Sequence, residues 1–185
     1  MTLAKLITEV CAPWVSNITL FLILGVGFDA LGPGLLASTM TGVLPMVAIM
    51  AMIRRGKVDN HHVTAGHQRA AVFAVILGLL AILIAGLLMM DTPREIWLAV
   101  TAALLFIAIF AVVTRFGLKI SIHVGHWLAV WIYLGIVLSP WWWLALLMTP
   151  VIAWSRLKLT HHSWPEITGG TLAGLAVVGI MLPLV

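Results

Sequence analysis

The sequence predicts an all-α protein, a polytopic transmembrane helical bundle of six or seven spans that forms one domain over residues 1–185. First, 63% of the residues are hydrophobic and 9% are charged, with a mean hydropathy of +1.17. Second, apolar stretches about long enough to cross a bilayer alternate with short polar islands. Third, all seven histidines lie in three of these islands: His61, His62 and His67; His123 and His126; His161 and His162.

The elements follow in order along the chain. Residues Cys11 to Ile53 are apolar for about two spans, and Gly32-Pro33-Gly34 is a turn signal between them. The later predicted spans are Ala70 to Met90, Ile96 to Val113, Trp127 to Leu138, Trp141 to Trp154 and Ile167 to Val185. The islands between them are Arg54 to Arg69, Arg115 to His126 and Ser155 to Glu166. Seven spans result if the first stretch is a hairpin, and six if its first part is re-entrant or interfacial.

The positive charges indicate a membrane orientation. Two crossings between successive islands put all three islands on one face, together with most of the lysines and arginines. An excess of Lys and Arg in short loops marks the cytoplasmic side, so we expect a site at the cytoplasmic face of the cell membrane. The net charge of +4 does not indicate nucleic acid, because no basic helix face is interleaved with exposed aromatic residues. The expected partners are the lipid bilayer and a membrane lipid; the oligomeric state stays open.

The third island carries the most specific chemistry. If the chain is helical from about His162, Glu166 lies one turn further on the same face, and Pro165 is tolerated in a first helical turn. A carboxylate at one imidazole nitrogen fixes the tautomer and makes the other nitrogen a better nucleophile. Arg156 adds a planar fork of donors that suits phosphate or carboxylate.

The order of these residues resembles a known signature. The pattern resembles the third motif of the type 2 phosphatidic acid phosphatase superfamily, which contains integral-membrane lipid phosphatases and vanadate-dependent haloperoxidases. It consists of Ser155-Arg156, five residues, His162, three residues and Glu166. The acid of that motif is usually Asp, and Glu166 keeps its charge.

Two further segments resemble the same family. Ile120-Ser121-Ile122-His123 is similar to its Pro-Ser-Gly-His motif, with the hydroxyl and the imidazole retained. The family's first motif is Lys, six residues and Arg-Pro; here Arg69 is followed by Ala70, and His62 occupies the Lys position. Lys57 precedes this segment and could reach the same anion.

The resemblance implies a lipid phosphatase that needs neither a metal nor a cofactor. His162 would attack phosphorus and form a phosphohistidine, Glu166 would orient it, and His123 would protonate the leaving oxygen and then activate water. The implied phosphate-binding residues are Arg69, Arg156 and Ser121, with Lys57 or His62. The substrate would be a polyprenyl-type or glycerolipid mono- or diphosphate.

Two other functions are compatible with the histidines. Their clusters loosely resemble the ligand sets of membrane desaturases and hydroxylases, in which imidazole binds iron. This alternative leaves Ser121 and the Ser155-Arg156 pair unexplained. The second alternative is a haem-binding electron carrier or a transporter, although axial haem ligands normally lie within spans and these histidines lie at span ends.

Overall fold

The computed structural model describes the backbone of residues 2–57 and 66–185, and the side chains of residues 2–57 and 71–185. Its α-helices, in chain order, are α1 (Leu3–Val10), α2 (Pro13–Gly27), α3 (Leu31–Ser38), α4 (Leu44–Arg54), α5 (Gly66–Leu87), α6 (Arg94–Arg115), α7 (Ile122–Val137), α8 (Thr149–Lys158) and α9 (Trp164–Met181). A π-helical turn, Thr39–Val43, joins α3 to α4, and 3-10 helices cover Pro140–Met148 and Leu182–Leu184. The described residues contain no strand, so the all-α prediction is confirmed for them.

Several helices are long and apolar enough to cross a membrane. Three such segments are Leu31–Arg54, Arg94–Arg115 and Trp164–Leu184, and a fourth results if α1 and α2, separated by a bend, form one span. Shorter apolar helices cover Ala71–Leu87 and Ile122–Val137. The described residues therefore have the three or four candidate spans of a membrane protein, and the total of six or seven stays a prediction.

The chain forms two compact units. One contains Met1–Ser16 and Arg94–Val185, and the other contains Asn17–Pro93. The first unit holds the second and third polar islands. The assignment of one domain to residues 1–185 stays a prediction.

In the second unit, the prediction of a turn at Gly32-Pro33-Gly34 is wrong, because these residues lie within α3. Pro33 is in the first turn of the helix, where backbone N–H groups have no partner within the helix and proline is tolerated. Gly34 is used for packing: a Cβ there would lie 2.7 Å from both the Gly25 Cα and the Phe21 carbonyl oxygen of α2. The chain instead turns at Asp29, which has a positive φ of 51°.

The predicted span Trp141 to Trp154 is divided in the structure. Its first part is the 3-10 helix Pro140–Met148, and α8 follows from Thr149. Indole hydrogen bonds hold the 3-10 helix against α7: the Nε1 atoms of Trp127 and Trp143 donate to the carbonyls of Ala145 and Ile132 over 3.0 and 3.2 Å. These bonds join two elements that are consecutive in the chain.

The packing of α7 on α9 positions the site in the first unit. Gly125 of α7 faces Gly170 and Gly174 of α9, and a Cβ at any of the three would collide with main-chain atoms of the other helix or of Ser121, which precedes α7. Small residues at such a contact let two backbones approach closely. The start of α7 therefore lies directly against the first turns of α9.

Helix α1 packs on α8 through a buried polar contact in the same unit. The hydroxyl oxygens of Thr8 and Ser155 lie 3.1 Å apart, and Ser155 also donates to the carbonyl of Ile152 over 2.8 Å. Both side chains are almost completely buried. This contact adjoins Arg156, the next residue of α8.

Candidate active site

The third island is the connection between α8 and α9. Helix α8 ends at Lys158, and α9 begins at Trp164 after the N-cap residue Ser163. The helix therefore begins two residues after His162, near the start at about His162 assumed from the sequence, and His162 itself precedes it. Ser163 and Glu166 form a capping box, in which each side chain accepts a backbone N–H of the other residue. This cap stops the helix short of His162 and turns the Glu166 side chain back toward it.

His162 and Glu166 are in contact, as their spacing predicts. His162 Nδ1 lies 2.8 Å from Glu166 Oε2, and 8% of the His162 side chain is exposed. Because an ionised carboxylate only accepts hydrogen bonds, Nδ1 carries the proton and Nε2 keeps its lone pair. Burial lowers the pKa of His162 to about 4, assisted by the positive charges of Arg156 and Lys119 and opposed by Glu166. At neutral pH the imidazole is therefore uncharged and suited to act as a nucleophile.

Arg156 places a buried cation beside this histidine. Its side chain is 2% exposed, and its Nε and Nη1 atoms have no hydrogen-bond partner among the described residues. The carbonyl of Arg156 accepts the backbone N–H groups of His161 and His162 over 3.1 and 3.3 Å, and Thr160, with a positive φ of 53°, allows the chain to turn back at this point. A buried donor without a partner is costly, so these donors are well placed for an anion.

The second island meets the third at Glu166. Ser121 is the N-cap residue of α7, and its backbone N–H donates to the Glu166 carbonyl over 2.9 Å. The Ser121 side chain is fully buried, and its hydroxyl has no partner within the described part of the chain. His123, in the first turn of α7, is 6% exposed. The structure therefore brings Ser121 to the His162–Glu166 pair and places His123 in the adjoining turn.

Lys119 is a site residue that the sequence reasoning did not identify. Its Nζ lies 3.7 Å from Glu166 Oε2 and donates to the His161 carbonyl over 2.7 Å. The available signal was its position within the second island, close before Ser121. A lysine at this position is equally typical of a charge that orients a span in the membrane, so the sequence alone does not assign it to the site.

The first-island residues predicted to bind phosphate belong to the second unit or lie outside the described residues. His62 lies outside the described residues, and Arg69 lies in α5 with its side chain outside them. Lys57 follows α4 in the second unit and is exposed. Their predicted role in phosphate binding stays a prediction.

The described residues contain no group of three or more His, Cys, Asp or Glu side chains arranged to hold a metal ion. No family model, curated protein or solved structure matches this chain. The residues of the site itself determine its chemistry. Two groups define it: the neutral, oriented His162 and the buried guanidinium of Arg156.

Proposed function

We propose that the chain is an integral-membrane lipid phosphatase that hydrolyses a lipid phosphate or diphosphate through a phosphohistidine intermediate. The observation that carries this proposal is the 2.8 Å contact between His162 Nδ1 and Glu166 Oε2 beside the buried Arg156. An oriented neutral imidazole supplies a nucleophile, and unpartnered guanidinium donors supply an anion site. Phosphoryl transfer needs both, because positioning and electrostatic stabilisation provide most of its rate.

In the first step, His162 Nε2 attacks the phosphorus while the bond from phosphorus to the bridging lipid oxygen breaks. His123, in its protonated form, gives a proton to that oxygen, so the lipid leaves as an alcohol or, from a diphosphate, as a monophosphate. The Nε2–phosphorus bond gives the imidazole a positive charge. Glu166 stabilises that charge through the Nδ1–H hydrogen bond.

In the second step, His123, now neutral, takes a proton from water, whose oxygen attacks the phosphorus. The bond from phosphorus to nitrogen breaks, inorganic phosphate is released, and both histidines regain their initial states. The negative oxygens of the phosphoryl group are neutralised by Arg156 and Ser121, together with the first-island residues Arg69, Lys57 and His62. No oxidant, metal or cofactor is required for this balance.

The proposal includes membership of the type 2 phosphatidic acid phosphatase superfamily, which rests on the three sequence motifs. It also includes the six- or seven-span topology and a site at the cytoplasmic face of the cell membrane, which rest on the alternation of islands and the Lys and Arg distribution. The apolar character of the chain favours a substrate whose alkyl tail enters between spans. Polyprenyl and glycerolipid phosphates both satisfy this requirement.

The first test is phosphate release in detergent with excess chelator from a prenyl diphosphate, a prenyl phosphate and phosphatidic acid. The wild type should release phosphate, and His162→Gln should lose the activity. His161→Gln is the matched control, because it makes the same change at the neighbouring histidine and should retain activity. Stoichiometric bound iron in the purified protein would favour the iron enzyme, a haem absorbance spectrum would favour the electron carrier, and either result would contradict the proposal.

A second test separates the two steps. A nitrophenyl phosphate ester has a leaving group that needs no proton, so His123→Gln should still phosphorylate His162 with this substrate. Hydrolysis of the phosphoenzyme should be slow, because the base that activates water is missing. Labelled phosphoenzyme that is stable in base and labile in acid should accumulate in His123→Gln and be absent from the double variant with His162→Gln. Label that persists in the double variant would contradict a phosphohistidine at His162.

A further inference from the structure

Lys119 contacts the proposed site at two points. Its ammonium group lies 3.7 Å from Glu166 Oε2 and donates to the His161 carbonyl over 2.7 Å. One contact is to the acid that orients His162, and the other is to the main chain immediately before His162. A single cation therefore holds both the partner of His162 and the loop that carries it.

The two residues that follow Lys119 contact the first turns of α9. The Ser121 N–H donates to the Glu166 carbonyl over 2.9 Å, and the Ile120 side chain covers Gly169, where a Cβ would meet it at 2.5 Å. Glu166 is consequently held at its carbonyl by Ser121 and at its carboxylate by Lys119. The segment Lys119-Ile120-Ser121 therefore contacts both the main chain and the side chain of Glu166.

The carboxylate contact involves one oxygen atom. Glu166 Oε2 accepts from His162 Nδ1 at 2.8 Å and from the Ser163 N–H at 3.2 Å, in addition to the nearby Lys119. Without the ammonium group, this oxygen would lose its positively charged neighbour and the His161 carbonyl would lose a donor. Both changes free the loop that carries the nucleophile.

We infer that Lys119 is a positioning residue of the proposed site: its ammonium group fixes the Glu166 carboxylate and the His161 carbonyl, and thereby the orientation and charge state of His162. This inference deepens the proposed function, on which its kinetic consequence rests. Lys119 acts through Glu166 and the main chain, so the inference needs no contact between Lys119 and the substrate.

The charges around His162 give this role a measurable signature. Lys119 and Arg156 both lower the pKa of His162, and Glu166 raises it. The other ionisable groups on the elements packed around this loop are His161 in the loop, Lys158 on α8, His123, His126 and Tyr133 on α7, Lys5 and Glu9 on α1, and Arg94, Glu95 and Arg115 on α6. Glu9 interacts electrostatically with Arg156. Removing the Lys119 charge should raise the pKa of His162 above its value of about 4.

The decisive experiment is a pH titration of the histidine ring nitrogens by NMR in the full-length protein. The His162 signals are assigned by their loss in His162→Gln. Lys119→Met keeps the length of the side chain and removes its charge, Lys119→Arg restores the charge, and Lys158→Met is the matched control at an exposed lysine. We expect an upward shift of the His162 titration and a weaker preference for the Nδ1–H tautomer in Lys119→Met alone. An unchanged His162 titration and tautomer in Lys119→Met would overturn the inference.

Kinetics provide the second readout. In Lys119→Met, kcat should fall about 10-fold because the nucleophile is less well oriented, while KM should change less than about twofold. Lys119→Arg should recover most of this loss, and the acid limb of the rate profile should move upward in Lys119→Met. A raised KM with unchanged kcat would identify a substrate-binding lysine and overturn the positioning role. If the wild type hydrolyses no lipid, the proposed function fails, and the NMR titration still decides the position of Lys119.

Discussion

The backbone N–H of Ser121 donates to the carbonyl of Glu166 over 2.9 Å. This bond joins the residue that precedes α7 to the acid in the first turn of α9, so two polar islands that are distant in the sequence meet at one peptide group. The bond requires the two helices to approach closely. Gly170, one turn beyond Glu166, is packed against the main chain of Ser121.

We predict that Gly170→Ala destabilises the protein and disrupts the site. The added Cβ would collide with the carbonyl and amide of Ser121, which cannot move aside as a flexible side chain could. Overpacking of this kind costs about 1–3 kcal/mol. Thermal unfolding in detergent should show a lower Tm, with loss of phosphate release. Gly179→Ala on the same helix is the control, because a Cβ there meets nothing within 4 Å; equal Tm values for the two variants would contradict the prediction.

Arg156→Lys should weaken the proposed anion site while keeping the positive charge. A lysine lacks the planar fork that can donate two parallel hydrogen bonds to a phosphate. Loss of a hydrogen bond to a charged group costs about 1.5–3 kcal/mol, which corresponds to a roughly 10- to 150-fold lower kcat/KM. Kinetics with the preferred lipid measure the effect. Arg115→Lys makes the same change at an exposed residue at the end of α6 and should have wild-type kinetics; a similar loss in both variants would count against the prediction.

The lowered pKa of His162 predicts a loss of stability in acid. The unfolded chain takes up a proton at the ordinary histidine pKa of 6.5, whereas the folded protein does so only at about 4. The contribution of His162 to the free energy of unfolding is therefore fully present above pH 6.5 and lost as the pH falls to about 4. Chemical denaturation across this range should show a smaller pH dependence for His162→Gln than for the wild type. Parallel curves would show that the imidazole is not held neutral by the fold.

Gly34→Ala tests the packing of α3 on α2. A Cβ at Gly34 would meet backbone atoms of Gly25 and Phe21, whereas one at Gly32 would meet only the terminal methyl of Met90. We expect Gly34→Ala to lower the free energy of unfolding by about 1–3 kcal/mol and therefore to lower the Tm. Gly32→Ala should change both quantities much less. A larger loss of stability in Gly32→Ala than in Gly34→Ala would contradict the packing of α3 on α2 and favour a turn at this segment.

The sequence predicts the contacts of the site that join residues close together in the chain. The contact of His162 with Glu166 follows from their spacing, although the helix begins after His162 because Ser163 caps it. Lys119 could not be identified in this way, since its partners Glu166 and His161 come close only when α7 packs on α9.

A similar limit applies to the fold. Apolar stretches predict where most of the described helices form, although the predicted span Trp141 to Trp154 is divided into a 3-10 helix and α8. The turn predicted at Gly32-Pro33-Gly34 is wrong because proline fits the first turn of a helix as well as a turn between helices. What distinguishes the two cases is the contact of Gly34 with Gly25, which no local pattern contains.

The capping box of α9 also has a consequence for the order of assembly. The contacts of Glu166 with Ser163 and His162 lie within one turn of chain and can form as soon as α9 winds. The contacts from Lys119 and Ser121 close a long loop and must wait until α7 docks, because closing a loop costs entropy before its contacts form. His162 and Glu166 therefore pair early, and the contacts of Lys119 with Glu166 and His161 form last. Recovery of the proposed phosphatase activity during refolding should accordingly follow the docking of α7 rather than the return of helix content.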